Sequence, residues 1–162
     1  MTIKFFKESC KSSTRASQFG LYDNEATYAS IVIENHEIWQ GEVENSKEKK
    51  VVFFAIDKCL EIKDENGNLE STCDCLLKQE KQLIFVELKS WKKGRWVKEG
   101  REQITNTISL FKKSYIIDEY QVKAHICNNK RPRSHTGHAV NIQQFKDETG
   151  FILSTNNKIE IR

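Results

Sequence analysis

The chain has 162 residues, enough for one domain with a real buried core, and 30% of them are charged against 38% apolar. That balance excludes a disordered polymer, and no apolar run approaches the ~18 residues that a membrane-spanning helix needs. The net charge of +3 excludes neither nucleic acid nor protein partners, because a phosphate backbone is met by clustered Lys and Arg rather than by the whole-chain sum. The opening M-T-I-K-F-F-K-E-S-C-K lacks the apolar centre of a secretory signal, so a cytoplasmic protein is expected. Five cysteines in a chain of this length point to reduced thiols rather than a disulfide framework.

Residues 1–24, rich in Ser, Lys and Arg with aromatics at the edges, suggest a loosely structured arm, and residues 25–162 a single domain. Tyr28 to Glu34 is short and β-branched. Asn35 is then placed to cap a helix running to about Asn45, with Trp39 and Val43 on one side. V-V-F-F-A-I-D-K-C-L-E-I predicts a long strand with Val52, Phe54, Ile56, Leu60 and Ile62 on one face and Asp57 on the other, closed by the turn signal D-E-N-G-N. A hairpin over residues 71–90 follows. Beyond it, S-W-K-K-G-R-W is a basic, aromatic loop. Val97, Ile104, Ile108, Phe111 and Tyr115 then recur at helical spacing. Residues 120–127 alternate as a strand, with Val122, Ala124 and Ile126 toward the core. A basic loop with the only proline comes next, then a helical turn in N-I-Q-Q-F-K-D-E and a closing hairpin around Asn156 and Asn157.

The hairpin S-T-C-D-C-L-L-K-Q-E-K-Q-L-I-F-V-E-L-K-S carries acid where a core-facing strand normally avoids it. If Gln79 to Gln82 form the loop, Lys78 faces Leu83 and the register places Asp74 opposite Glu87. Opposed residues share a face and strand side chains alternate, so Asp74, Glu87 and Lys89 project together. Two carboxylates suit Mg²⁺, a hard cation that takes oxygen ligands and keeps several waters. Such an ion acidifies water and offsets charge growing on a phosphate, and the Lys89 ammonium would steady either. The chemistry this points to is phosphodiester hydrolysis.

At these residues the chain resembles the PD-(D/E)xK nuclease superfamily. Asp74 matches the first acid, I-F-V-E-L-K supplies Glu87 and Lys89, and Gln103 in R-E-Q-I matches the helix glutamine. Cys73 stands where the family's pattern has proline. The order helix, three strands, helix, strand over residues 35–127 is similar to the restriction-endonuclease-like α-β-β-β-α-β core, an α/β (α+β) fold with a mixed central sheet flanked by helices. The resemblance implies a Mg²⁺- or Mn²⁺-dependent enzyme that hydrolyses DNA, with Asp74 and Glu87 as metal ligands and the Leu88 carbonyl completing the shell. It also implies Lys89 and Gln103 in the catalytic group, and a homodimer. The family often adds an acid from its first helix; Glu37, Glu42 and Glu44 compete for that place, with Asp57 a further candidate.

Three basic clusters accompany the site: Lys92, Lys93, Arg95 and Lys98; Lys112 and Lys113; and Lys130, Arg131 and Arg133. The first leaves the carboxylate strand directly and interleaves Trp91 and Trp96, a combination suited to phosphates and exposed bases, so it is assigned to nucleic-acid binding. A rival chemistry would draw zinc to Cys73, Cys75, His125, Cys127, His135 and His138, but a strand C-x-C turns both thiols to the side opposite Asp74, where buried, inert cysteines belong. The alternative function is a nuclease-like module that does not cut and instead binds nucleic acid or a partner protein in a defence or mobile-element assembly.

Overall fold

A computed structural model of the chain describes residues 2–91, 94–130 and 138–162. In chain order its strands are β1 (Lys11–Thr14), β2 (Gln18–Asp23), β3 (Ala29–Val32), β4 (Gly41–Glu44), β5 (Val51–Ala55), β6 (Cys75–Gln79) and β7 (Gln82–Lys89). Helix α1 (Trp96–Lys112), β8 (Gln121–Asn128), α2 (Ala139–Thr149), β9 (Leu153–Ser154) and β10 (Lys158–Glu160) complete it.

The central strands are apolar on both faces, and that dictates the layering. On β7, Leu83 and Phe85 join one core while Ile84, Val86 and Leu88 join another, and all five are buried. A strand of this kind must be covered on both sides. The six-stranded sheet, ordered β1-β5-β6-β7-β8-β9, is antiparallel from β1 to β7 and parallel from β7 to β9. Helices α1 and α2 cover one face through Val97, Ile104, Ile108, Phe111 and Phe145. A four-stranded sheet, ordered β10-β4-β2-β3, covers the other through Phe19, Leu21, Val43 and Ile159. The protein is thus an α+β fold with two helices and two mixed sheets among the described residues. None of those helices is long and apolar enough to cross a membrane.

The stretch β5-β6-β7-α1-β8 follows the order read from the sequence, but the helix expected before it does not form. Asn35 adopts a left-handed conformation (φ 53°) instead of capping a helix, His36–Ile38 make one 3₁₀ turn, and the chain then enters β4. Burial alternates on β4, and Gly41 pairs with Leu21, so strand pairing prevails over the local helical pattern. The expected long strand also stops early. After Ala55 the chain turns, with the Leu60 N–H donating to the Ile56 carbonyl (2.8 Å) and Lys58 left-handed (φ 68°), while Ile56 and Ile62 still reach the helix-side core.

Residues 2–24 do not form the loose arm expected of the first 24 residues. Phe5 packs against Phe111 and Tyr115, β1 edges the central sheet, and β2 lies inside the second one. The closing hairpin is replaced by two strands in different sheets, β9 beside β8 and β10 beside β4, both parallel. Cys10 and Cys59, expected as free thiols, form a disulfide between the start of β1 and the turn after β5.

Candidate active site

The β6–β7 hairpin has the register expected of it. Lys78 pairs with Leu83 and Cys75 with Val86, which carries Asp74 to a place opposite Glu87. Alternation along β7 then turns Glu87 and Lys89 to the same side as Leu83 and Phe85, the side on which α1 packs. All three chemical side chains are nearly sealed: Asp74 is 4%, Glu87 3% and Lys89 8% exposed.

Each is held by named bonds. The Leu88 N–H donates to Asp74 Oδ2 (2.8 Å), and the Asp74 N–H donates to Glu87 Oε1 (3.1 Å), so the two strands exchange backbone-to-carboxylate bonds where the ladder ends. Lys89 Nζ lies 3.0 Å from Glu87 Oε2 and donates to Gln103 Oε1 on α1, also at 3.0 Å. The same ammonium sits over the Trp91 ring at 4.6 Å from its centroid. An ammonium carries three donors. With two spent on Glu87 and Gln103, one remains for a ligand.

Charge is crowded here. Burial and then the charge of Glu87 push the Asp74 carboxyl well above the usual carboxylate range. Burial also raises Glu87, against the opposing charge of Lys89 and a hydrogen bond with Asp74. A protonated Asp74 donating to an ionised Glu87 is the state these influences favour.

Asp74, Glu87, Lys89 and Gln103 together line an open pocket of about 670 Å³ at the end of the central sheet. Of the four candidates for a third acid, Asp57 lines this pocket. The others do not: Glu37 is exposed on the 3₁₀ turn, Glu42 is bonded to Gln18, and Glu44 pairs with Lys158 at 2.8 Å. Burial lifts the Asp57 carboxyl, partly offset by adjacent Lys58.

Sequence reasoning missed two parts of the site. Asp23, at the end of β2, enters the pocket and pairs with Lys58 at 2.9 Å. The signal was present, since Asp23 continues the row of Phe19 and Leu21, both fully buried, and so is another acid on a core-facing line. The second part is the polar stripe of α1. Thr107 accepts from the Cys73 N–H (2.8 Å) while donating to the Gln103 carbonyl (2.7 Å), and Asn106 donates to the Ser71 carbonyl (2.7 Å). These bonds fasten the approach to Asp74 onto the helix that carries Gln103.

The donor set fits a hard divalent cation. In the metal-free protein a protonated Asp74 leaves Glu87 balanced by Lys89, and a divalent cation would restore the second carboxylate by displacing that proton; Mg²⁺ needs only one or two protein carboxylates beside its waters. Asp74 and Glu87 are the residues that would hold it. Among the described residues no group of three or more His, Cys, Asp and Glu stands together as a metal-holding cluster. The zinc candidates are scattered: Cys73 lies in the helix-side core and Cys75 in the core between the sheets, rather than both on one side. Burial lowers His125 to about 4, with its Nδ1 3.4 Å from the Asn156 carbonyl, and raises the Cys127 thiol. His135 lies outside the described residues.

Of the residues assigned to nucleic acid, Arg95 and Lys98 line a neighbouring pocket of about 500 Å³ with Trp91, and Lys92 and Lys93 lie outside the described residues. The two tryptophans of the basic loop part company: Trp96 is buried at 5% exposure and Trp91 is 40% exposed. In comparison with known proteins, no family model, no curated protein and no solved structure matches the chain.

Proposed function

We propose that this pocket is the centre of a Mg²⁺- or Mn²⁺-dependent nuclease of the restriction-endonuclease-like kind, acting on phosphodiester bonds in DNA. The observation that carries the reading is the convergence of Asp74, Glu87, Lys89 and Gln103, drawn from two strands and a helix, on one pocket. The order β5-β6-β7-α1-β8 supports it as well. A metal held by Asp74 and Glu87 supplies charge neutralisation at the phosphate and acidifies water. The chain's own residues do the rest. Glu87 and Gln103 fix the Lys89 ammonium so that its remaining N–H is available to a phosphate oxygen or the attacking water. Asp57 adds an acid to the pocket wall, while Asp23 there is balanced by Lys58.

Incubation with plasmid and with single-stranded DNA in Mg²⁺ or Mn²⁺ tests this. Wild type is expected to cut, and Glu87→Ala or Lys89→Ala to lower the rate by at least about 100-fold. Equal behaviour of wild type and the Glu87→Ala, Lys89→Ala double variant would sink the reading.

A second reading is a nuclease-like module that binds nucleic acid or a partner protein without cutting. What favours it is the absence, among the described residues, of a cluster of three or more metal-ligating side chains. It predicts metal-independent DNA binding that survives loss of Glu87 and weakens when Arg95 and Lys98 are neutralised.

A further inference from the structure

We propose that Trp91 is a stacking platform for an unpaired nucleobase next to the phosphate being attacked, which makes single-stranded DNA the preferred substrate; this rests on the nuclease reading of the same pocket. Three tryptophans occur in the chain. Trp39 and Trp96 are packed away at 8% and 5% exposure, whereas Trp91 presents its ring to solvent at 40%. Exposure alone is ordinary for a surface side chain, and what singles out this aromatic is its place on the wall of a charged pocket.

The ring is exposed but its backbone is anchored. The Trp91 N–H donates to Asn128 Oδ1 (3.2 Å), and Asn128 Nδ2 donates to the Trp91 carbonyl (2.8 Å). Asn128 is fully buried at the end of β8, and its Oδ1 also accepts from the Lys130 N–H (3.0 Å). One buried amide therefore holds the Trp91 backbone by two bonds. On the other side, the Lys89 ammonium at 4.6 Å ties the indole to the cation of the site. A stacking surface works best when little rotamer freedom is lost on binding, and this one is held before the ligand arrives.

Position supplies the rest. Trp91 lines both the carboxylate pocket and an adjoining pocket in which Arg95 and Lys98 stand with Glu99 and Glu102, Lys98 lying 3.8 Å from Glu102. A strand whose phosphates reach both pockets, one at a metal held by Asp74 and Glu87 and its neighbour at Arg95 and Lys98, would pass the indole that the two pockets share. Bases in a duplex have their faces covered by their neighbours, so only an unpaired base offers a face to stack.

The test measures binding of labelled oligo(dT) and of a hairpin duplex of equal length, with Ca²⁺ in place of Mg²⁺, for wild type, Trp91→Phe and Trp91→Leu. Indole emission is followed in wild type and Trp91→Phe. Expected are a single-strand preference of about tenfold or more, quenching of indole emission on binding that Trp91→Phe abolishes, and a preference largely kept by Trp91→Phe but lost in Trp91→Leu. Unquenched emission in wild type, or a preference the same in Trp91→Leu as in wild type, would overturn the platform. Cleavage in Mg²⁺ is scored separately. A protein that stacks and prefers single strands yet cuts nothing keeps the platform and loses the nuclease reading. One that cuts duplex as well as single strands, with Trp91→Leu retaining the wild-type ratio, keeps the nuclease and loses the platform.

Discussion

Asp74 is a carboxyl whose ionisation is opposed both by burial and by the charge of neighbouring Glu87. A carboxyl whose folded value is raised contributes stability that is fully present below its unfolded value, about 3.9, and is lost as pH rises through the folded value. Asp74→Asn removes that loss while its amide oxygen still accepts the Leu88 N–H. The variant is expected to match wild type in stability below about pH 4 and to exceed it at neutral pH by roughly 1 kcal/mol or more, a rise in Tm of about 3 °C. Metal-free thermal melts across that range check it, and a variant less stable than wild type at pH 7 would contradict the charge argument. Asp74, Glu87 and Lys89 were legible in the sequence because each interrupts or ends an apolar row. Asp23 broke the same rule and went unread, because residues 1–24 were not taken for strands.

At the scale of elements, the least legible stretch was Asn35 to Glu44. Trp39 and Val43 are four apart and suggest a helix, yet each answers to a different neighbour. Val43 faces the core between the sheets, while the Trp39 indole lies flat against Gly20 of β2 and donates from Nε1 to the Glu34 carbonyl (3.0 Å). A Cβ on residue 20 would fall inside that ring. Gly20→Ala is therefore expected to cost about 2–3 kcal/mol by displacing Trp39, although alanine is ordinarily tolerated in a strand at least as well as glycine. Chemical denaturation measures this, and a loss under 0.5 kcal/mol would mean the indole moves aside freely. Helix α1, by contrast, was readable over most of its length, since its apolar residues meet a sheet face that local periodicity already describes, although the spacing ran on to Tyr115 and the helix stops at Lys112.

Across the whole molecule, the Cys10–Cys59 bridge spans 49 residues of sequence and ties the edge strand β1 to the turn that carries Asp57 and Lys58. Closing a loop of that length is worth about 4 kcal/mol on a chain-entropy estimate and typically 2–4 in practice. Cys59→Ser is expected to lower stability by about that amount, with a matching drop for wild type in reductant. A thiol count on denatured, unreduced protein should find three free cysteines of the five, since Cys73, Cys75 and Cys127 are unpaired. A count of five would show the bridge absent. The cysteine reading failed because it weighed number and chain length, whereas pairing depends on which elements the fold brings within reach.

What the sequence determined by itself was everything governed by local period: the register of the β6–β7 hairpin, the shared side of Asp74, Glu87 and Lys89, helix α1 with Gln103, and the β-β-β-α-β order around them. Only the tertiary structure decided the second sheet, the parting of β9 from β10, and the entry of Asp57 and Asp23 into the pocket that Glu37, Glu42 and Glu44 do not line. The reason is physical. Alternation and helical spacing state which face of an element is apolar, but pairing between strands far apart in the chain depends on which surfaces remain uncovered once the central sheet has formed.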